Sequence, residues 1–303
     1  MEESTPVAKV TALLVSYNSA PAIKRCIAAL EATKGRPELE IIVVDSGSMD
    51  EGPVLDREFP GITVLRLERN FGATKALNIG MRTAAADYVL FLEPEVLVRP
   101  ETVMALAARL DSDESLVAVA PLLVDEAGRP VTEVRKLPSP EGLRMLWVDP
   151  ATLPVTTIDP TADSVPAGYP GRRALMVRKQ FIRAFNWLDD RYGEFGGDLE
   201  LAFQIRRANK KMVVLPGIQA DLVSASPLEL DTAGAAMLHA DRAHGIGVFL
   251  NKHFGWFAGF KFQLSAVLHT LGRMLSFNRP GFQLRVLTAL LGDRKVDGTQ
   301  RSL

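Results

Sequence analysis

Short apolar runs alternate with amphipathic segments along the first 120 residues, and this alternation restricts the fold more than any other feature. The runs cover residues 10–15, 41–44, 62–67, 88–92 and 116–120. After the first run, Pro21 stands near the start of a segment that places Ile23, Ile27 and Leu30 on one face at helical spacing. Strands that alternate with helices form parallel βα units. The sequence therefore predicts an α/β domain built on a mostly parallel sheet.

The middle of the chain interrupts this rhythm. Eight prolines fall between residues 125 and 171, which is too many for a regular helix or a central strand. We expect a long irregular excursion here, which is either a functional loop or exposed packing. A strand at 174–177, a helix that runs to about Asn209 and a strand at 212–215 are predicted to follow.

Composition excludes several kinds of site. Lys and Arg number 35 against 36 Asp and Glu, so no overall positive field indicates nucleic acid binding. All four histidines follow residue 232, which excludes a zinc or histidine-based site in the preceding part. Cys26 is the single cysteine, so neither an intramolecular disulfide nor a multi-cysteine metal site is available, as fits a reducing compartment. With no secretory signal pattern and no uncharged apolar run near about 18 residues, we expect a cytoplasmic protein.

Polar residues follow the first two predicted strands. Tyr17 and Asn18 end the first strand, Asp45 and Ser46 end the second, and Asp50 comes shortly after. Ligands of open α/β sheets bind beyond the carboxyl ends of the strands, so these side chains are candidates for one binding site. Two plainer roles stay open: Tyr17 as a partly buried core residue, and Asp45 as the cap of the next turn.

A predicted helix start follows the third strand. Asn70, Gly72, Lys75 and Asn78 lie in the stretch Asn-Phe-Gly-Ala-Thr-Lys-Ala-Leu-Asn-Ile-Gly. Gly72 is predicted to begin a helix beside the strand end, where backbone can approach a ligand closely. Lys75 is a candidate phosphate contact, with an ordinary solvated lysine as the alternative.

The strand at 88–92 ends in Glu93-Pro94-Glu95. A hard cation such as Mg²⁺ is commonly held by one or two carboxylates together with substrate phosphates. The two glutamates therefore indicate a metal and a diphosphate-bearing substrate, unless they are loop acids that serve solubility.

In this order, the four motifs resemble the nucleotide-binding half of the inverting family 2 glycosyltransferases, over about residues 8–100. The resemblance implies a GT-A fold, which is a Rossmann-like, mostly parallel sheet flanked by helices. It also implies a UDP-, dTDP- or GDP-sugar as substrate, with Tyr17, Asp45 and Asp50 around the base and ribose. Glu95 would meet Mg²⁺ or Mn²⁺ and the diphosphate, although Glu replaces the family's Asp at both acidic positions. Further residues assigned to the nucleotide-sugar site are Asn18, Ser46, Asn70, Gly72, Lys75, Asn78 and Glu93.

The second half resembles the family segment in which an aspartate-rich turn precedes the catalytic helix. By this resemblance Asp198 is the general base that takes the proton of the acceptor hydroxyl, and Asp189 and Asp190 touch the acceptor. A helix cap is the alternative role of Asp198. Gly197 stands where the family has glutamate, and Asp221 stands near the position of a metal-binding histidine. Asp221 is therefore a candidate oxygen ligand of the metal.

The last segment is basic and aromatic. From residue 233 onward, nine basic residues stand against three acidic ones. Its aromatic residues are interleaved with lysines: Phe249, Phe254, Trp256, Phe257, Phe260 and Phe262. This segment resembles the helical extensions of membrane-associated relatives, so we expect it to lie on an anionic membrane surface. Packing on the catalytic domain or a homodimer contact is the alternative.

Together these features predict a GT-A domain over 1–227, with a nucleotide-binding half up to about 122 and an acceptor half beyond it, followed by a helical extension over 228–303. The predicted activity is metal-assisted sugar transfer with inversion to a glycan or lipid-linked acceptor in polysaccharide biosynthesis at the cell envelope. The pattern is closest to rhamnosyltransferase-like members. The alternative is a catalytically silent nucleotide-sugar-binding or scaffold protein in a membrane-associated assembly complex.

Overall fold

A computed structural model describes residues 10–33, 39–49, 54–149, 154–169, 171–223 and 232–292. The strands in these ranges are β1 (Val10–Ser16), β2 (Leu39–Asp45), β3 (Thr63–Arg66), β4 (Tyr88–Leu92), β5 (Val96–Val98), β6 (Leu116–Val124), β7 (Val134–Arg135), β8 (Val155–Thr156), β9 (Val165–Pro166), β10 (Ala174–Arg178) and β11 (Lys211–Leu222). The helices are α1 (Ala20–Thr33), α2 (Leu55–Glu58), α3 (Ala73–Thr83), α4 (Thr102–Ser112), α5 (Pro140–Val148), α6 (Lys179–Ala184), α7 (Gly197–Arg207), α8 (Thr232–Phe254), α9 (Trp256–Leu275) and α10 (Pro280–Leu291).

The central sheet has nine strands and is mixed. Its order is β3-β2-β1-β4-β10-β6-β11-β5, with β9 paired to β11. The strands β3, β2, β1 and β4 are mutually parallel, whereas β10 runs antiparallel to β4 and β6. The carboxyl ends of β1, β2 and β4 therefore meet at one edge, as the sequence predicts. In the other half of the sheet β6 and β11 run in the same direction as β4, whereas β10, β5 and β9 run the other way.

Close packing of α3 on the sheet fixes the position of the helix start. Gly80 leaves no room for a Cβ, because that atom would collide with the side chain of Leu13 on β1. Gly72 precedes α3 with φ +80°, a conformation that favours glycine. The first turn of α3 consequently lies beside the ends of β1 and β4.

The proline-rich excursion is more regular than its composition suggests. Pro140 occupies the first turn of α5, where its missing N–H costs no intrahelical hydrogen bond. The Ser139 hydroxyl accepts a hydrogen bond from the Gly142 N–H over 3.1 Å and caps the helix. The expectation of irregular structure was therefore wrong for residues 140–148.

The C-terminal helices pack on the α/β domain. The indole Nε1 of Trp147 on α5 donates to the carbonyl oxygen of His239 on α8 over 3.1 Å, and Phe249 of α8 is buried. Helices α9 and α10 both pack against α8. Within the ranges that the structure covers, no helix has both the length and the hydropathy of a membrane span.

Candidate active site

A pocket lies beyond the carboxyl ends of β1 and β4. Its volume is about 160 Å³, and its lining includes Tyr17, Glu93, Glu95, Arg172 and Glu194. Three of these residues are sequence-predicted site residues from two different strands. The other two come from the second half of the chain, so both halves contribute to one pocket.

The ends of β1 and β2 are joined by a hydrogen-bonded turn. Asp45 is buried, and one of its carboxylate oxygens accepts the Ser48 N–H over 3.0 Å. Asn18 accepts the Met49 N–H over 2.8 Å, and its own N–H donates to the Ser48 hydroxyl over 3.0 Å. Asp45 therefore caps a turn, which was the alternative role, while base or ribose binding by Asp45 stays a prediction. Asp50 lies outside the described residues.

Asn70 organises the start of α3. Its Oδ1 accepts the Gly72 N–H over 2.8 Å and the Ser46 hydroxyl over 3.3 Å. Its buried Nδ2 has no hydrogen-bond partner within the part of the chain that the structure describes. Lys75, by contrast, places its ammonium group 4.2 Å from the ring centre of Phe71 and is absent from the pocket lining.

The start of α3 also contacts the acceptor half. The Thr74 hydroxyl donates to the carbonyl oxygen of Gly193 over 2.8 Å. Asn78 is buried, and its Nδ2 donates to the Leu188 carbonyl over 2.7 Å and to an Asp190 carboxylate oxygen over 2.6 Å. The observed hydrogen bonds of Asn78 thus position the 188–190 loop. Nucleotide-sugar contact by Asn78, and acceptor contact by Asp190, remain predictions.

Glu93 lies in a field of mixed charge. Its carboxylate approaches Arg173 at 3.5 Å and Arg172 at 3.9 Å. Burial raises the pKa of Glu93, the two arginines oppose this rise, and the negative charges of Glu95 and Asp198 add to it. The charge of Glu95, a predicted metal ligand, and the charge of Asp198, the predicted base, therefore both raise the pKa of Glu93.

Arg172 lies close to two acidic side chains, Glu93 and Glu194. Its Nη1 donates to the carbonyl oxygen of Glu194 over 2.6 Å. Burial alone would lower the pKa of Arg172, but Glu194, Glu93 and Asp198 raise it above its ordinary value. The guanidinium is thus a fixed positive charge in a pocket lined by carboxylates.

Asp198 lies in the first turn of α7, directly after Gly196 and Gly197. Its Oδ2 accepts the hydroxyl of Tyr169 over 2.7 Å, and its Oδ1 accepts the Leu199 N–H over 2.9 Å. Burial and the charge of Asp198 raise the pKa of Tyr169, which keeps the phenol protonated as the donor. Asp198 is therefore an oriented carboxylate as well as a residue of the helix start.

Sequence reasoning missed both Tyr169 and Arg172. They end the excursion just before β10, and no spacing pattern links them to α7. The one available signal was that Arg172 and Arg173 directly precede a buried strand whose neighbour in the sheet carries Glu93 at its end.

Two further predicted residues have ion-pair partners outside the pocket. Asp189 pairs with Arg191 at 2.7 Å and Lys252 at 3.1 Å. The hydrogen bond from Arg191 is the main cause of a strongly lowered pKa of Asp189. Asp221 pairs with Arg99 at 2.8 Å and does not line the pocket.

Three acids line the pocket, of which Glu93 and Glu95 are the predicted metal-side residues and Glu194 pairs with Arg172. In the described ranges, no three His, Cys, Asp or Glu side chains form a ligand cluster. Glu93 and Glu95 line one pocket, and a hard cation bound there would need its remaining oxygens from substrate phosphate and water. The pair Glu93 and Glu95 therefore suits Mg²⁺ or Mn²⁺ if substrate phosphate and water supply the other ligands.

Helix α8 holds the loop that carries Glu194. A carboxylate oxygen of Asp241 accepts the Phe195 N–H over 3.0 Å, and a Cβ at Gly193 would collide with the same side chain. Further along α8, Lys252 pairs with the fully buried Glu200 of α7 at 3.0 Å. The C-terminal helices thus support one wall of the pocket.

Comparisons with known proteins agree with this architecture. Residues 11–157 match the family model described as Glycosyl transferase family 2. The succinoglycan biosynthesis protein ExoO of Rhizobium meliloti is 32% identical over 115 residues, a match that spans 37% of this chain and 33% of that protein. An N-acetylglucosaminyl-diphospho-decaprenol L-rhamnosyltransferase of Mycobacterium tuberculosis is 24% identical over 276 residues, which cover 84% of this chain and 87% of the relative.

Solved structures share the fold at low sequence identity. S. aureus TarS 1–349 in complex with UDP-GlcNAc has a TM-score of 0.52 at 18% identity, and covers 93% of this chain with 90% of its own. The mannosyltransferase PcManGT from Pyrobaculum calidifontis, in complex with GDP-Man and Mn²⁺, has a TM-score of 0.52 at 15% identity, over 96% of this chain and 89% of its own.

Proposed function

Because this chain belongs to the family 2 glycosyltransferases and has the GT-A fold, we propose that it transfers a sugar from a nucleoside diphosphate sugar to a hydroxyl group, with inversion at the anomeric carbon. One observation carries the proposal: Glu95, which lines the pocket, and Asp198, which lies outside its lining, come from the two halves of the chain, and both are near enough to Glu93 for their charges to raise its pKa. Inverting transfer requires a base on one side of the sugar and leaving-group stabilisation on the other.

Asp198 is the proposed base. Its carboxylate takes the proton of the acceptor hydroxyl while that oxygen attacks the anomeric carbon and the bond to the diphosphate breaks. Tyr169 supports this role, because its hydrogen bond to Oδ2 fixes the carboxylate in one orientation. Because the carboxylate is already oriented, it does not lose further rotational freedom when the transition state forms.

The leaving diphosphate is assigned to the side of Glu95, with Glu93 in the auxiliary position. When bound there, Mg²⁺ or Mn²⁺ supplies positive charge to the departing phosphate oxygens. Arg172 lines the same pocket and offers a second positive charge from the chain itself. Tyr17 lines the pocket at the end of β1 and is assigned to the base or sugar, with Asp45 at the neighbouring strand end.

The names of the relatives support a lipid-linked or glycan acceptor as part of this proposal. The mycobacterial relative is named for a diphospho-decaprenol substrate and for rhamnosyl transfer.

Helices α9 and α10 of this chain expose a group of large apolar side chains: Trp256, Phe257, Phe260, Leu264, Leu268, Leu275, Leu284 and Leu291. Basic residues such as Lys261 and Arg285 accompany them, a combination that suits the surface of an anionic membrane. We place the protein peripherally at such a surface.

A silent nucleotide-sugar-binding protein is the second candidate. The pairing of Asp221 with Arg99 and of Glu93 with Arg173 favours it, because each pair occupies a carboxylate that a metal site would use.

Calorimetric titration of UDP, dTDP and GDP, with and without Mn²⁺, separates the two candidates when it is followed by a sugar transfer assay. Metal-dependent binding with turnover supports the transferase. Metal-independent binding without turnover, across a panel of nucleotide sugars, supports the silent protein.

A further inference from the structure

A second cavity lies where α5 meets the C-terminal helices, and it shares no lining residue with the active-site pocket. Its volume is about 390 Å³. We call it the basic cavity, after its polar lining: His239, His269, Arg273, Asn278, Arg279 and Gln283. No carboxylate is present among the lining residues that the structure describes. The charge inside it is therefore of one sign.

The arginines of the basic cavity have no acidic partner among the residues that the structure describes. The Nε of Arg273 is buried without a hydrogen-bond partner. Within the described residues, neither Arg273 nor Arg279 forms an ion pair with an acid. A buried guanidinium N–H without a partner is costly, and an oxyanion is the group that matches it best.

The pKa values of the two histidines are lowered in part by the same excess of positive charge. Burial, with the charges of Arg242, His269 and Arg273, lowers the pKa of His239 to about 4. Burial and the charges of Arg273 and Arg144 also lower the pKa of His269. An anion in the basic cavity would offset these charges and would raise the pKa of both rings, while the effect of burial would remain.

The backbone at the cavity is strained, and the Trp147 ring packs against both histidines of its lining. Arg279 has φ +49° and directly precedes Pro280 in the first turn of α10. A non-glycine residue is strained in this region, and such positions cluster at functional sites. Trp147 stacks on His239 with ring centres 4.8 Å apart and meets the His269 ring edge-on at 5.5 Å.

We propose that the basic cavity binds a phosphate-bearing anion. Guanidinium and imidazole groups recognise phosphate through charge-assisted hydrogen bonds, and the N-terminus of the 12-residue helix α10 adds a favourable dipole. The anion is either the headgroup of a membrane lipid or a free phosphate or diphosphate. This site goes beyond sugar transfer, because none of its residues takes part in the proposed reaction.

The test follows the His239 ring by NMR while inorganic pyrophosphate, or phosphatidylglycerol vesicles, is added to the full chain. Loss of the signal in His239→Phe assigns it. We expect the His239 titration to move to higher pH, and Arg273→Gln or Arg279→Asn to weaken binding about tenfold or more, the loss of one charge-assisted hydrogen bond. Asn tolerates the backbone conformation of residue 279.

Arg285→Gln is the matched control, since it removes the same charge from an exposed position of α10 outside the cavity. It should weaken binding by about twofold at most. A response to pyrophosphate identifies a free phosphate, and a response to phosphatidylglycerol but not phosphatidylcholine vesicles alone identifies a lipid headgroup. An unmoved His239 signal with both probes, or equal losses in Arg273→Gln and Arg285→Gln, overturns the proposal. The proposed sugar transfer is tested separately, by measuring transfer to a water-soluble acceptor with the same variants.

Discussion

The hydroxyl of Tyr169 donates a hydrogen bond to Oδ2 of Asp198 over 2.7 Å, which links the end of the proline-rich excursion to the first turn of α7. Arg172 follows three residues later and contacts the backbone of Glu194. One short segment therefore positions the proposed base and supplies a positive charge to the pocket. The excursion is a structural part of the site.

Asp198→Asn should abolish transfer and leave nucleotide binding nearly intact. An amide cannot accept the acceptor proton, and general base catalysis contributes a factor of about 10² to 10⁴. Steady-state kcat and calorimetric nucleotide affinity check this directly. Turnover close to that of the wild type would remove Asp198 from the role of base.

Tyr169→Phe should lower kcat about tenfold without a change in KM for the nucleotide sugar. The variant loses one hydrogen bond to a charged group, worth roughly 1.5 kcal/mol, and leaves the Asp198 carboxylate free to reorient. Tyr88→Phe is a suitable control, since the Tyr88 hydroxyl donates to Asp111 and does not line the pocket. Equal losses in both variants would indicate general destabilisation instead.

Glu95→Gln should raise the Mn²⁺ concentration needed for half-maximal activity about tenfold, because it removes one of few carboxylate ligands. Asp221→Asn should change it little, since Asp221 pairs with Arg99 outside the pocket. Metal titrations of activity compare the two. An equal shift in both variants would place Asp221 in the metal shell, as the sequence resemblance implies.

His239→Phe should make stability less sensitive to acid. The pKa of His239 is lowered from 6.5 to about 4 in the folded chain, so unfolding takes up a proton between these pH values. The free energy of unfolding therefore falls as pH falls through this window, by about 1 to 3 kcal/mol. Phe keeps the stacking on Trp147 and removes the titration. Urea unfolding at pH 7 and pH 4.5 should show a smaller loss in the variant than in the wild type.

Asp241→Ala should lower kcat about tenfold with a smaller loss of stability. The substitution removes the acceptor of the Phe195 N–H and frees the loop that carries Glu194. Addition of high salt should not reproduce this effect, because the contact is short and partly buried. Wild-type kcat in the variant, with a normal unfolding midpoint, would show that the loop needs no support from α8.

The sheet was largely predictable, because buried strands show themselves as apolar runs. The run at 88–92 has the same bounds as β4, whereas β6 extends beyond the predicted residue 120 to Val124. Helix α5 was not predicted, because the number of prolines indicated irregular structure. Pro140 lies in the first turn of this helix, where proline is tolerated.

The site was predictable only where one short motif contains its residues. Tyr17, Glu93 and Glu95 line one pocket, as their positions at strand ends indicated. The contacts of Asp198 with Tyr169, and of Asn78 with Leu188, join residues 29 and 110 positions apart. Such contacts depend on tertiary packing, which a local pattern cannot report.

The attachment of Phe195 to Asp241 has a consequence for biosynthesis. A ribosome completes every nucleotide-site motif long before it reaches α8, yet the loop bearing Glu194 gains its anchor only when Asp241 has left the exit tunnel. The wall of the proposed site that carries Glu194 is therefore completed only after α8 has been synthesised. The anchor of the Glu194 loop and the exposed apolar side chains of α9 and α10 are thus synthesised one after the other.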